Sequence, residues 1–371
     1  MTQTTSTHQL TVAVIGAGAF VYGMHRPGLA DHHFKTVAVC DINAEKLAAR
    51  ANEIGCSAYT NHRDLLADVQ PDLAVVMTPH PGHASISIDC LRAGVHVLVE
   101  KPIAVHAGEA DAMIEAARQA NRLLAVNLQQ RFRPEVVAAR RVIDEGQLGR
   151  IQSAHMIVAW PRTRRYFANA GWRGTWRGEG GGVLLNQAPH NLDLICHLVG
   201  LPKRVAAWNR TTMHDIETED TVQAMLEWPN EAVGSLHVST AEAGQPERLE
   251  ILGTRGRLEV TRGGVHFQQF DEELESFFAT TDRVYDGPDL HEISLDLPAT
   301  TGSHKDVYTN IHAAITQEAP LMASGESGRM SLELANAMIL SSYTNKVVDL
   351  PIDRAAYIEL LTSLQASSRY R

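Results

Sequence analysis

Apolar and polar positions alternate between two spacings along the first third of the chain. Leu10 to Ile15, Thr36 to Cys40, Leu73 to Met77, His96 to Val99 and Leu123 to Val126 are short β-prone runs. Between them, helical spacing begins near Ala19 and covers Ala44 to Ala51, Ala84 to Ala93 and Gly108 to Ala120. Strand and helix in strict alternation predict a parallel, doubly wound α/β sheet with ligands at the carboxyl ends of its strands. The pattern then changes. A helix over Pro134 to Gly146 is followed by strand-like runs at Ile151 to Trp160, Val205 to Arg210, Val222 to Trp228, Ala232 to Thr240, Arg248 to Leu252, Arg257 to Thr261 and Val265 to Phe270. Glycine or Pro-Asn turns separate several of them. Asp271 to Thr301 is acidic and irregular and reads as loop and edge strands; helical spacing returns at Lys305 to Gln317 and Met330 to Asn345. A chain of 371 residues is long for one core, so two domains are expected, 1–130 and 131–371.

The first strand runs into Gly16-Ala17-Gly18, with Ala19 and Phe20 opening the next helix. Gly16 allows a tight turn, and Gly18 allows a pyrophosphate to approach the amides of a helix N-terminus. Val21 stands where such a fingerprint has its third small residue, so the motif alone is weak. Asp41, at the end of the second strand, strengthens it. An acid there accepts hydrogen bonds from ribose hydroxyls and repels a 2′-phosphate, which favours NAD over NADP; Asp41 is equally suited to cap the following helix. Thr78-Pro79-His80, with His83 beyond, follows the third run and forms an expected wall of the cofactor site. Glu100-Lys101-Pro102 follows the fourth. A lysine there lies where a nicotinamide is expected, against the ordinary reading of a surface lysine in a loop.

Gly178 to Asp193 concentrates a glycine run, the apolar triplet Val183 to Leu185, the amide pair Asn186-Gln187 and the helix start Pro189-His190. The triplet reads as a short buried strand, and Pro189 suits a first helical turn. His190 and Asp193 then lie one turn apart, where a carboxylate can set an imidazole's tautomer; a helix N-terminus that happens to carry a histidine is the plainer reading. Trp160 to Arg177 holds five arginines (162, 164, 165, 173 and 177) and no acid, with Trp160, Trp172, Trp176, Tyr166 and Phe167 among them. Aromatic faces and forked donors suit a sugar, and arginine a carboxylate or phosphate. An arginine-rich loop pairing with acids of a neighbouring chain is the alternative. Gln129 and Arg131, after the last run of the first domain, are candidates to reach substrate, Arg131 being equally suited to a structural ion pair. His304 and His312 begin a late helix and read as structural.

Composition narrows the classes. A net charge of -10 argues against a nucleic-acid partner. No apolar run approaches a membrane span, and the first residues lack the basic and apolar regions of a signal peptide. Four scattered cysteines read as reduced thiols of a cytoplasmic protein. No metal site is expected, since His32-His33 and the histidines at 80 and 83 lack the companions one needs.

AVIGAGAF, TPHPGHASISIDCLRAGVHVLVEKP (78–102), LQQRFRP (128–134) and GGGVLLNQAPHNLDL (180–194) resemble the glucose-fructose oxidoreductase, inositol dehydrogenase and MocA family, from about Leu10 to the C-terminus. The resemblance implies a Rossmann domain followed by an α/β domain on a large, open, mostly antiparallel sheet, and a homodimer or homotetramer paired through such sheets. It also implies that Lys101 and His190 are catalytic. The family's aspartate four residues before that histidine is Asn186 here, and an amide cannot carry a proton or charge. A carboxylate partner for His190 must then come from elsewhere, with Asp193 the nearest in sequence. The implied function is NAD-dependent oxidation of a secondary hydroxyl of a sugar, glycoside or cyclitol. A redox-neutral enzyme with tightly held NAD and a non-enzymatic sugar sensor are the alternatives.

Overall fold

The computed structural model describes residues 9–370. The chain divides into two units: one comprises the chain up to Gln129 together with Ser303–Arg329, the other Gln130–Gly302 together with the chain from Met330 on. The segment Ser303–Arg329 thus packs with the first unit, although the sequence expectation assigned all of 131–371 to the second.

The first unit contains β1 (Leu10–Ile15), α1 (Tyr22–Leu29), β2 (Phe34–Cys40), α2 (Ala44–Ile54), β3 (Ser57–Tyr59), α3 (His62–Val69), β4 (Leu73–Val76), α4 (His80–Arg92), β5 (His96–Val99), α5 (Ala107–Ala120) and β6 (Leu124–Val126). The strands form one parallel sheet in the order β3-β2-β1-β4-β5-β6. Both faces of β1, β4 and β5 are covered: Val12, Val14, Val75, Val76, Val97 and Leu98 are fully buried. That burial explains runs with no polar alternation. Strand order reverses between β1 and β4, so the loops after those strands flank the crevice where such sheets bind ligands. Gly16 makes the crevice possible. Its φ is +89°, and a Cβ there would stand 2.7 Å from the Met77 carbonyl carbon, so a side chain would collide with the backbone after β4 as well as strain the turn. The short elements β3 and α3 had no counterpart among the sequence expectations.

The second unit opens with a 3₁₀ turn (Gln129–Phe132 spans the division) and α6 (Pro134–Asp144). It continues through β7 (Ile151–Ala159), α7 (Arg164–Ala168), α8 (Pro189–Val199), β8 (Arg204–Arg210), β9 (Thr221–Glu227), β10 (Val233–Ser239), β11 (Arg248–Gly253), β12 (Gly256–Thr261), β13 (Gly264–Phe270), α9 (Leu274–Thr280) and β14 (Leu290–Ile293). After α10 (His304–Gln317), which belongs to the first unit, come α11 (Gly325–Thr344), which spans the division at Arg329, then β15 (Val348–Asp349) and α12 (Arg354–Ala366). The strands form a nine-stranded sheet in the order β14-β13-β12-β11-β7-β10-β9-β8-β15. β7 and β10 run parallel and the other pairs antiparallel. One face is the core, with Val222, Ala224 and Leu226 buried along β9. The other leaves Trp208, Met225 and Val233 each about half exposed, at 51%, 51% and 52%. The acidic stretch from Asp271 holds α9 and the edge strand β14. Among the described residues, no helix is long and apolar enough to cross a membrane.

Val183–Leu185 is not a strand. All three are buried, but their backbone follows turns: the Leu185 and Asn186 N–H groups donate to the Gly182 carbonyl at 3.1 and 3.0 Å. Glu219 takes the donors a neighbouring strand would have taken. Its carbonyl accepts from Val183 N–H at 2.9 Å, and its carboxylate accepts from Gly182 and Leu184 N–H at 2.8 and 3.1 Å. Burial pushes the Glu219 carboxyl up to about 7 against those two donors. A Cβ at Gly182 would lie 1.9 Å from the Glu219 carbonyl oxygen, so the glycine is required by this close approach.

Candidate active site

In the first unit, the turn after β1 is stapled to the end of β2. Gly16 and Ala17 N–H donate to the Cys40 carbonyl at 2.8 and 3.2 Å. Gly18 N–H donates to Asp41 Oδ2 and Asn43 N–H to Asp41 Oδ1, both at 2.8 Å. The N-cap of α2 is Asn43, whose side chain accepts from Lys46 N–H, so capping this helix does not fall to Asp41. Each Asp41 oxygen has one backbone donor and keeps a lone pair for a further hydrogen bond. A Cβ on Gly18 would come within 2.9 Å of Asp41 Oδ2, which shows how closely turn and acid approach. A cavity of about 500 Å³ lies beside this turn, lined by Gly18, Ala19, Phe20, Tyr22 and Lys46 among others. Phe20 is 89% and Ile42 94% exposed, apolar surfaces that a bound ring system would cover. Ile42 had not been singled out in the sequence, where the signal was its position directly after the acid. This set fits a dinucleotide: glycine turn, helix N-terminus, and an acid with spare acceptor capacity.

The remaining cofactor candidates divide. Thr78 and Pro79 form the loop after β4, and His80 enters α4 behind Pro79, which holds its N-cap position. His83 is 1% exposed, its ring nitrogens 2.8 Å from the Pro102 carbonyl and 2.7 Å from the Thr78 carbonyl. It ties two loops together inside the protein. Glu100 likewise is not a free cofactor ligand. Its carboxylate, 7% exposed, is held by His25 Nε2 at 2.7 Å, by Asn127 Nδ2 and by the Lys101 N–H at 3.1 Å. Lys101, half-buried, follows it. His304 also belongs to this cluster, with Nε2 3.8 Å from Glu100 Oε1. His32-His33, for which the sequence offered no companions, are joined by Asp31, 2.6 Å from His33 Nδ1, and by the His312 ring from α10, 4.3 Å from that of His33. Asp31 directly precedes the two histidines in the chain, whereas the fold brings His312 to them and gathers the Glu100 group.

In the second unit, Pro189 takes the first turn of α8 and His190, 9% exposed, follows it. Asp193 does not serve His190. Its two oxygens receive the Arg131 fork, Nε to Oδ2 at 2.8 Å and Nη2 to Oδ1 at 2.5 Å, with the side chains 2% and 1% exposed. Arg131 therefore takes the structural role that its sequence also allowed. Gln129 is half-buried, and its Oε1 has no partner among the described residues.

Asn186 is held by a carboxylate that sequence reasoning missed. Its Nδ2 donates to Glu179 Oε1, Gly174 N–H donates to Glu179 Oε2 at 2.6 Å, and the Tyr166 hydroxyl donates to Asn186 Oδ1 at 3.3 Å. Gln187 Nε2 donates to the Tyr166 hydroxyl at 2.9 Å. The visible signal for Glu179 was its place as the first acid after a five-arginine segment. The arginines also divide. Arg173 stacks on Tyr166, 4.3 Å from its centroid, and Arg177 donates to the Gln365 carbonyl at 2.8 Å. Arg164 and Arg165 are exposed on α7, and their side chains have no hydrogen bond or ion pair among the described residues. Trp176 is 3% exposed with its indole N–H on the Glu217 carbonyl, so it is a core residue and not a sugar platform. Trp160 lies under the Arg262 guanidinium at 4.9 Å, and Trp172 is half-buried beside Arg173.

A parallel sheet of order 3-2-1-4-5-6, a glycine turn and an acid after its second strand define a dinucleotide-binding unit. The chain belongs to the GFO/IDH/MocA family: residues 10–128 match its oxidoreductase domain with NAD-binding Rossmann fold, and residues 136–259 match a GFO/IDH/MocA C-terminal domain. It is an NAD-binding dehydrogenase. Among curated relatives, trans-1,2-dihydrobenzene-1,2-diol dehydrogenase of Mus musculus is 28% identical over 236 residues, 63% of this chain and 68% of that one. D-glucoside 3-dehydrogenase of Escherichia coli (strain K12) is 30% identical over 224 residues, 59% of this chain and 62% of that one, so the chain spans less than two thirds of that relative. The WlbA dehydrogenase of Chromobacterium violaceum, solved with NADH and UDP-GlcNAcA, superposes with a TM-score of 0.81 at 29% identity, covering 93% of this chain and 97% of that one. Levoglucosan dehydrogenase with NADH is similar in fold, with a TM-score of 0.78 at 23% identity over 93% of this chain and all of the other.

Asp41→Ala is expected to raise the KM for NAD by about tenfold or more, as the loss of a charged hydrogen bond implies. The KM for NADP should change far less or fall. Steady-state kinetics with both cofactors checks this, and equal effects on the two would remove Asp41 from ribose recognition.

Proposed function

We propose that this dehydrogenase oxidises a secondary hydroxyl of a sugar, glycoside or cyclitol to a ketone, reversibly, and that its substrate is acidic. The single observation behind the acidic substrate is the pair of exposed, uncompensated guanidinium groups Arg164 and Arg165, two residues or fewer from Tyr166 and so next to the Tyr166–Asn186–Glu179 chain. Arginine forks suit carboxylate and phosphate. The sugar class is supported by relatives named for glucoside and levoglucosan oxidation, and the acidic character by the UDP-GlcNAcA held by the WlbA dehydrogenase.

When bound, NAD supplies the hydride acceptor; Gly16, Gly18 and Asp41 would hold it. His190 takes the hydroxyl proton as general base. Lys101, as an ammonium, donates to the substrate oxygen and stabilises its alkoxide character. Asn186, fixed by Glu179 and Tyr166, presents an amide to a substrate hydroxyl and leaves proton transfer to His190. The outward face of the nine-stranded sheet, with Trp208, Met225 and Val233 half exposed, is the surface through which a homodimer or homotetramer would form.

Absorbance at 340 nm with NAD against inositols, aldoses, glycosides and sugar acids tests this reading. A rise with sugar acids is expected, and replacing both Arg164 and Arg165 by alanine should raise the KM for the acid about tenfold while sparing a neutral analogue. A rise with neutral sugars alone, unaffected by that double change, would remove the acidic substrate. No rise, with NAD retained through purification and sugars converted without it being added, would replace net oxidation by redox-neutral chemistry.

A further inference from the structure

We propose that the turn between α1 and β2 is a binding site for a divalent transition-metal ion of the zinc type, ligated by Asp31 Oδ1 and by Nδ1 of His32 and of His33. The three residues are consecutive, and their ligand atoms all lie within 4.8 Å of one another.

A tight turn lets three neighbours aim at one point. Phe34 N–H donates to the Asp31 carbonyl at 2.9 Å, which folds the chain back directly after α1. His33 N–H donates to Asp31 Oδ1 at 3.2 Å, which fixes the carboxylate over the turn. Nδ1 of His33 then lies 2.6 Å, and Nδ1 of His32 3.2 Å, from that same oxygen. A tetrahedral ion with bonds of about 2.0–2.2 Å to nitrogen and oxygen needs ligand atoms roughly 3.4 Å apart. The His32 contact has nearly that spacing, and the His33 contact would open by less than about 1 Å. Two imidazole nitrogens with one carboxylate oxygen suit zinc, copper or nickel; magnesium and calcium take oxygen. Three protein ligands leave a fourth position for water.

The first unit braces this turn from a second element. Lys305, Tyr308 and His312 fall at i, i+3 and i+7 and share one face of α10. Tyr308 meets α1 so closely that a Cβ on Gly28 would stand 2.2 Å from its ring, so α10 is set firmly against α1. The His33 ring contacts both the His32 ring and the buried His312 ring, with centroids 3.9 and 4.3 Å away. Less rotamer freedom is then left for an ion to remove. Lys305 opposes the ion, because its Nζ lies 3.7 Å from Asp31 Oδ2 and competes for the same carboxylate. The cofactor turn is remote. Asp31 precedes β2 and Asp41 follows it, and the seven residues between their ends span about 20 Å. An ion here would brace the α1–β2 turn and leave NAD binding unchanged.

Zinc titration of the full-length protein, freed of metal with a chelator, tests this by isothermal titration calorimetry. Mildly alkaline buffer is used because ligating imidazoles must be unprotonated. The parent should bind zinc, and His32→Gln and His33→Gln should each weaken that binding by about 100-fold or more, since even a residue that only supports a ligand is worth about 10- to 100-fold. The His32 side chain is 69% exposed, so its replacement keeps the fold. Zinc taken by the His25, Glu100 and His304 group, whose ligand atoms are also close together, is common to the parent and these variants and cancels in the comparison. Lys305→Gln should tighten zinc by up to about fivefold, the worth of an exposed ion pair. Excess magnesium should leave the zinc in place, and the Kd for NADH should be the same throughout. No zinc binding by the parent, equal affinity in the parent and both histidine variants, or displacement of zinc by magnesium overturns the proposal.

Discussion

Lys101→Ala and His190→Ala are each expected to lower kcat by about 10²- to 10⁴-fold, the range for a positioned acid, base or charge, without loss of fold or of NADH binding. The two should then differ. Lys101 acts by charge, so Lys101→Arg is expected to recover part of the rate, whereas Lys101→Met should not. His190 acts by accepting a proton, so His190→Asn should be as slow as the alanine variant at neutral pH and recover as hydroxide takes over the base's role at high pH. Purified variants compared by far-UV circular dichroism, NADH fluorescence and steady-state turnover separate these outcomes. Turnover within a few-fold of the parent in either alanine variant would remove that residue from the chemistry. The structure makes the fold-preserving part of the expectation reasonable for Lys101, which is half-buried in the loop after β5 while the adjacent carboxylate carries the packing.

Asp193→Ala is expected to destabilise the protein by about 3–5 kcal/mol, the cost of leaving one member of a buried ion pair uncompensated. Arg131, with a side chain 2% exposed, would lose the carboxylate that receives both arms of its fork. Urea or guanidinium unfolding followed by tryptophan fluorescence measures this. Replacing both residues by apolar ones of similar volume, Arg131→Met with Asp193→Leu, should cost much less than either single change, because neither charge is then left behind. A single variant as stable as the parent would mean that water reaches the pair. The same experiment bears on function: were Asp193 the partner that sets the His190 tautomer, the double change would abolish turnover at the chemical step, whereas the observed pairing predicts that the folded double variant keeps most of its kcat.

Local signals were strong where a residue's surroundings repeat with the chain. β1, β4 and β5 are enclosed on both faces, so burial writes itself as an apolar run; Pro189 and the residues of α8 follow helical spacing; Gly16 answers a turn made within a few residues. The chain's family, its parallel first sheet, its cofactor and the candidates Lys101 and His190 could all be read there. Spacing was also sufficient to see that Asp193 stands one turn after His190, and insufficient to see that Arg131, 62 residues earlier, claims it.

Val183–Leu185 shows the same limit at the level of backbone. An apolar triplet after glycines has the composition of a buried strand, but Glu219, 35 residues beyond Leu184, takes the Val183 and Leu184 N–H groups and a turn takes that of Leu185, which leaves no ladder to join. Glu179 was passed over because it lies just beyond the acid-free arginine segment, and its bonds to the Asn186 amide and the Gly174 N–H are made by the folded backbone. The Tyr308–His25–Glu100 line joins residues 283 and 75 positions apart. The sequence by itself determined the long strands and helices of the first sheet and which residue types could do chemistry, because those properties depend on neighbours within about one turn or one strand. Only the tertiary structure decided which charges are spent on each other and which remain for substrate, because a buried donor or charge must find a partner wherever the fold brings one.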